Sequence, residues 1–377
     1  MQASPPHIDP MAKIRVAVVG LGFGAEFLPI YQRHPDAELY AICQRSPEKL
    51  KEIGDQFGVE RRFESYERLL ADPNVDAVHI NTPIAAHAPM SLAGLNAGKH
   101  VACTVPMATT VDECLKLVEA ERRSGKVYMM METAVYTREF LYALDLLTSG
   151  KLGRLQFLRG SHQQNMSLPG WPEYWYGMPP MHYATHAVGP LLRLANARAE
   201  SVVCFGSGRI RDEYVERYGS PFAVESALVK LKDSDLACEV TRSLFDTIRQ
   251  YRESFDVYGT ERSFEWEQTI GQNPVVFSGF EDAERVEVPD TGSLLPKEIG
   301  GFTRAGVYDE EHEHTSFIQG GGHGGSHPHL VHEFVSAIRD RRAAAVDAAT
   351  SANWTMTGVC AHESAMRGGE RIAIPQP

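Results

Sequence analysis

The stretch Val16-Ala17-Val18-Val19-Gly20-Leu21-Gly22-Phe23-Gly24-Ala25 decides the fold. An apolar strand pattern runs into G-x-G-x-x-A, and a helical pattern follows. In that setting Gly20 permits a tight turn, Gly22 lets the backbone approach a pyrophosphate, and Ala25 keeps the helix close to the strand, with Phe23 and Gly24 in the same loop. The glycines alone are a weak signal. The strand before them and the helix after them give the loop its dinucleotide-binding meaning.

From Lys13 to about Met131, short apolar runs alternate with amphipathic stretches, the pattern of a parallel sheet wrapped by helices. Strands are predicted at Ile14 to Val19, Leu39 to Cys43, Ala77 to Asn81, His100 to Cys103 and Val127 to Met131. Ser46-Pro47 and Thr110-Val111-Asp112-Glu113 supply helix starts. The second strand closes on Gln44-Arg45-Ser46, where a carboxylate normally binds the adenosine ribose. Gln44 can still bond that ribose, and Arg45 reads equally as a 2′-phosphate contact or a solvated cation. NAD is therefore preferred and NADP stays open.

After a linking helix near Arg138 to Leu147 the pattern changes to alternating strands with turn signals, as around Phe255, Val257, Phe264 and Trp266. The expected fold is α/β: a Rossmann domain over 11–135, then an α+β domain with an open, mostly antiparallel sheet over 136–377. Two late helices, His327 to Arg341 and Asp347 to Met366, are expected to pack on one of the domains, the C-terminal one back on the Rossmann domain. Residues 1–10, with three prolines, read as a disordered leader.

Composition narrows the partners. The 377 residues carry 37 Lys+Arg against 49 Asp+Glu, a net charge of −12, the wrong sign for a phosphate footprint, so nucleic acid is not expected. No apolar run approaches a membrane span or a signal-peptide core, which predicts a cytoplasmic protein with no membrane partner. The six cysteines form no C-x-x-C pair and read as buried thiols.

Beyond the glycine loop, Asn81-Thr82-Pro83 with His87, then Gly98-Lys99-His100-Val101, Pro106, Gly150-Lys151-Leu152-Gly153 and Tyr258-Gly259-Thr260, resemble the Gfo/Idh/MocA oxidoreductases of sugar and inositol metabolism. The resemblance spans almost the whole chain. It implies that Asn81, Thr82, Pro83, His87, Thr104, Val105 and Pro106 line a nicotinamide cofactor, that the substrate is a small carbohydrate, and that the open sheet makes a homo-oligomer, dimer or tetramer. One departure outweighs the matches. Where the family carries Glu-Lys-Pro with a catalytic lysine, this chain has Thr104-Val105-Pro106, and valine cannot move a proton. The family's Asp-x-x-x-His pair is altered too, with His182 at the aspartate position and His186 at the histidine.

Val-Pro in place of Lys-Pro, the segment Tyr183 to Pro190, Met131-Glu132-Thr133 and His323-Gly324-Gly325 are similar to a divergent branch containing NAD-dependent α-N-acetylgalactosaminidases. That branch implies a cycle of C3 oxidation, elimination, water addition and re-reduction. A plain sugar or cyclitol dehydrogenase, and a dinucleotide-binding protein without catalysis, are the alternatives.

If the segment from His182 is helical, His182, Tyr183 and His186 face one cavity. His186 then accepts the hydroxyl proton and Tyr183 removes the proton beside the transient ketone, unless these are core residues satisfied by backbone bonds. Glu132 and Tyr136, after the fifth strand, are candidate substrate contacts, and Glu132 reads equally as an ion-pair partner of Arg138. Trp171 and Trp175 offer flat faces to a sugar, and Arg159 or Arg242 a cation to an anionic substituent. His323 and His327, beside Gly320-Gly321-Gly322, are further substrate contacts. Pro328 breaks up the histidines around them, and no metal site is expected.

Overall fold

The computed structural model describes residues 12–249, 251–304 and 322–377. The leader at 1–10 and Gly320-Gly321 lie outside the described residues. The apolar runs form β1 (Ile14–Val19), β2 (Ala37–Cys43), β3 (Arg62–Phe63), β4 (Ala77–Ile80), β5 (His100–Cys103) and β6 (Tyr128–Met130). All pair in parallel, in the order β3-β2-β1-β4-β5-β6. Helices cover both faces, which is why these strands read as continuous apolar runs. The order reverses between β1 and β4 and leaves a crevice at the strands' carboxyl ends.

Local chemistry sets the helix starts. The Ser46 hydroxyl accepts the Lys49 N–H at 3.2 Å to open the helix Pro47–Gln56. Thr110 accepts the Glu113 N–H at 3.2 Å to open Val111–Ser124. Each cap contributes about 1 kcal/mol. The helix expected straight after the glycine loop begins instead as a 3-10 turn, Phe23–Phe27, and turns α-helical over Leu28–Arg33. Pro29, with no N–H, interrupts a continuous ladder there.

The second domain holds β7 (Leu155–Gln163), β8 (Ala199–Ser207), β9 (Val224–Leu231), β10 (Ala237–Ser243), β11 (Arg252–Gly259), β12 (Ser263–Glu265), β13 (Val275–Phe277), β14 (Ala283–Arg285) and β15 (Ile372–Ala373). Their order is β14-β13-β12-β11-β7-β10-β9-β8-β15, antiparallel except for β7 beside β10. One face packs on helices. The other is open, and Phe205 and Leu228 stand on it, each 59% exposed.

Two contacts of the inner face position the site. Gly160 of β7 has its Cβ direction blocked by the Ala187 carbonyl at 2.3 Å, so only glycine lets the helix Thr185–Ala195 lie this close to the strand. The long helix Ala348–Met366, capped by Asp347, bridges the domains. Its Ala348 N–H bonds Glu121 of the first domain at 3.2 Å, and its Asn353 accepts the Ala199 N–H of the second at 2.9 Å. All six cysteines are buried free thiols. No helix among the described residues is long and apolar enough to cross a membrane.

Candidate active site

The glycine loop has the shape the sequence asks of it. Gly20 sits at φ +85°, with its Cβ direction 2.7 Å from the Asn81 carbonyl, so the turn requires glycine. Gly22 has an ordinary φ of −68°, and among the described residues no atom lies within 4 Å of its Cβ direction. His87 ties the neighbouring loops together: its Nδ1 lies 2.7 Å from the Pro106 carbonyl and its Nε2 2.7 Å from the Thr82 carbonyl. Two carbonyl acceptors require two N–H donors. Burial lowers the imidazole's pKa, but Cys103 and the two carbonyls more than offset this and push it up to about 9. At the end of β2, Gln44 is half-buried and Arg45 exposed, with the Gln44 amide oxygen accepting the Arg45 N–H at 3.0 Å. No carboxylate stands at that position in the sequence.

Beyond the crevice, side chains from four elements converge. Glu132 follows β6, His186 lies in the first turn of Thr185–Ala195, His162 comes from β7 and Glu253 from β11. His186 Nδ1 is 2.5 Å from Glu132 Oε1, and its Nε2 is 3.7 Å from Glu253 Oε1. His162 Nε2 also lies 3.7 Å from that oxygen, which accepts the Tyr251 hydroxyl at 2.6 Å. His323 is held at φ 46° and lies edge-on to Phe23 of the glycine loop at 5.4 Å, with its ring 6.4 Å from that of His186. The cluster thus adjoins the cofactor loop. A narrow cleft of about 10 Å³, lined by His186, Glu253, Thr137 and Trp266, opens beside it.

Electrostatics divides the labour. Burial by itself lowers the pKa of His186, but the carboxylates of Glu132 and Glu253 more than offset it and push it up to about 9. Burial, Arg242 and His186 hold His162 well below the ordinary imidazole range, so it is neutral. Burial opposes the ionisation of Glu253, yet His186 and His323 keep it below its usual value, as a carboxylate.

Several expectations are corrected. Residues Pro180–Tyr183 form a 3-10 turn, and Ala184, at φ −105° and ψ 3°, separates it from the helix that starts at Thr185. His182 is therefore not on the face of His186. Its ring packs on His362 at 5.1 Å, and burial and His362 lower its pKa to about 3. Tyr183 does meet His186, edge-on at 5.4 Å, and burial and Glu253 raise its phenol, which favours the protonated hydroxyl. Glu132 pairs with His186, not Arg138. Tyr136 stacks on His329 at 6.3 Å, at the seam with the helix His327–Arg339. His327 is fully buried behind His323, with 3.1 Å between their nitrogens, and faces Glu26 at 3.3 Å, so it supports the site from below. Trp175 packs edge-on against Tyr183 at 4.8 Å, and Trp171 lies behind it at 6.3 Å.

The two arginines are also engaged elsewhere. Arg159 pairs with Asp256 at 2.7 Å, and the buried Arg242 donates to the Tyr183, His162 and Ser243 carbonyls and to Gln164. His162, Glu253 and Tyr251 were not expected. His162 did leave a signal, since Leu158, Gly160 and His162 share the inward face of an alternating strand. Glu253 left a similar one, since it shares the inward face of β11 with Phe255 and Val257.

The sequence profile of the Gfo/Idh/MocA oxidoreductase family, described by its NAD-binding Rossmann fold, matches residues 14–132. Those residues are a Gfo/Idh/MocA domain. Over nearly its full length the chain is similar to the α-N-acetylgalactosaminidase of Shewanella oneidensis, with 23% identity covering 97% of this chain and 85% of that protein. A glycosyl hydrolase family 109 protein of Shewanella pealeana is 25% identical over 98% of this chain and 86% of its own length. Among solved structures, a levoglucosan dehydrogenase in complex with NADH and levoglucosan superposes with a TM-score of 0.78 at 20% identity, covering 97% of this chain and all of that one. The fold shared with that dehydrogenase thus extends through both domains of this chain, and the matched profile is that of an NAD-binding domain.

Proposed function

We propose that this Gfo/Idh/MocA protein is an NAD-dependent glycosidase that cleaves a pyranoside through transient oxidation at C3. The observation that carries the reading is the Glu132–His186–Glu253–His162 cluster, a proton-handling set in which Glu132 of the first domain meets three residues of the second, in a chain with valine at the family's lysine position. Relatives named as glycosyl hydrolase family 109 proteins and an α-N-acetylgalactosaminidase support it.

NAD, when bound, supplies the acceptor for the C3 hydride and its later donor. The chain's own residues do the rest. Glu132 holds His186 Nδ1 and so presents Nε2 toward Glu253 and the cavity, where it takes the C3 hydroxyl proton. The ketone makes the C2 proton acidic, and Glu253 is the carboxylate within reach to remove it as the C1 substituent leaves. The Tyr183 hydroxyl donates to a substrate oxygen. Water then adds at C1, the proton returns to C2 and the hydride to C3, so the net reaction is hydrolysis without net redox change. The open face carrying Phe205 and Leu228 is proposed to join copies of the chain, and the protein to act in the cytoplasm.

The test offers aryl glycosides to the enzyme with catalytic NAD. Phenol release with no accumulating NADH is expected, and a 3-deoxy glycoside should be inert. A free sugar yielding NADH stoichiometrically, with glycosides untouched, makes the chain a dehydrogenase like its structural neighbour acting on levoglucosan.

A further inference from the structure

His162 is fully buried, and neither of its ring nitrogens has a hydrogen-bond partner among the described residues. Leaving both polar atoms unmet in a dry site costs on the order of 1–3 kcal/mol, which a ligand at that point would recover. The donors nearest to it are His186 and Glu253. One nitrogen of each histidine and one Glu253 oxygen lie within 4.8 Å of one another. Donors on a tetrahedral zinc ion, with bonds of about 2.0–2.1 Å, stand roughly 3.3 Å apart. The two imidazole-to-carboxylate separations are 3.7 Å each and all three donors lie within 4.8 Å, so the carboxylate contacts close with a few tenths of an ångström of contraction and the imidazole pair with up to roughly 1.5 Å, within reach of side-chain rotation.

The surroundings favour a cation. Glu132 orients His186 through Nδ1, the carboxylate–histidine arrangement that holds an imidazole with its other nitrogen toward a metal. The second oxygen of Glu132 is buried without a hydrogen-bond partner among the described residues. Glu132 is buried and Glu253 half-buried, and once a metal takes the place of the His186 proton these two carboxylates face one guanidinium, Arg242, whose N–H groups are spent on carbonyls and Gln164.

We propose that His162, His186 and Glu253 form a binding site for a divalent ion of the zinc type, which takes the same donor atoms as the substrate hydroxyl and so excludes the sugar. Two imidazoles and one carboxylate suit zinc and cobalt, whereas calcium and magnesium prefer all-oxygen shells. Binding does not depend on the reaction assigned above. The exclusion of substrate rests on that reading.

The experiment uses the untagged, chelator-stripped full chain and titrates it with Co²⁺, read by the visible absorption of the ion in a low-coordinate site, with Zn²⁺ as displacer. One equivalent is expected to bind. Glu132→Gln should weaken binding about 10–100-fold, and His162→Ala and Glu253→Gln more than that, while NADH titration shows each variant folded. His332→Ala, at the separate pair of His332 Nδ1 and His34 Nε2 3.1 Å apart, should change nothing. No Co²⁺ spectrum, or binding unchanged in His162→Ala, overturns the site. In turnover assays Zn²⁺ should raise the apparent KM for glycoside and leave NADH affinity alone, and non-competitive inhibition refutes the shared donors. A chain that binds Co²⁺ here yet turns over no glycoside keeps the metal site and loses the glycosidase reading.

Discussion

His186→Ala is expected to lower turnover by about 10² or more, the loss typical of a positioned general base, with little change in NADH affinity. The imidazole is the one group of the cluster whose two nitrogens face carboxylates on opposite sides, Glu132 at 2.5 Å and Glu253 at 3.7 Å. With the pKa of His186 pushed up to about 9, the base is mostly protonated near neutrality, and kcat/KM should climb with pH until it levels near that value. Glu132→Gln keeps the imidazole and removes the nearer charge. Its limb should level closer to the unperturbed value of about 6.5. The folded pKa lies above the unfolded one, so the stability contributed by the pair is complete below about pH 6.5 and lost as pH rises through about 9. Near-normal turnover in His186→Ala would move the chemistry elsewhere.

Gly22→Val should abolish cofactor binding and leave the fold cooperative. A valine at φ −68° stays out of the left-handed region, and its Cβ has no described neighbour within 4 Å; its methyl groups are expected to meet the pyrophosphate. Gly20→Ala is the contrast. At φ +85°, with the Asn81 carbonyl 2.7 Å from the new Cβ, it should cost about 1–2 kcal/mol or more of stability. NADH fluorescence titration together with thermal unfolding separates the two effects, and unchanged affinity in Gly22→Val would displace the cofactor from this loop.

The Rossmann half was legible because its signals are local. Buried parallel strands read as apolar runs, Ser46 and Thr110 announce their helices, and Gly20 and Gly22 sit at fixed offsets from β1. The cluster was only partly legible, because it is assembled by strand pairing across the chain. β11 lies antiparallel to β7 with Glu253 opposite His162, a neighbourhood that no spacing in sequence reveals. The error at His182 has a local cause. Helical periodicity puts it beneath His186, but Ala184 leaves the helical backbone and breaks that relation. His327 is expected to touch substrate because its glycine-rich neighbours look like a loop approaching ligand, whereas its helix buries it under Phe23 and Phe27.

Turnover of a glycoside in deuterated water, with the released sugar analysed by NMR, tests the central claim most directly. Transient oxidation at C3 and removal of the C2 proton by a group that exchanges with solvent predict deuterium at C2 of every product molecule, C3 still carrying its original hydrogen, and no accumulated NADH. Product with protium at C2 would mean direct displacement at C1 and would contradict the account.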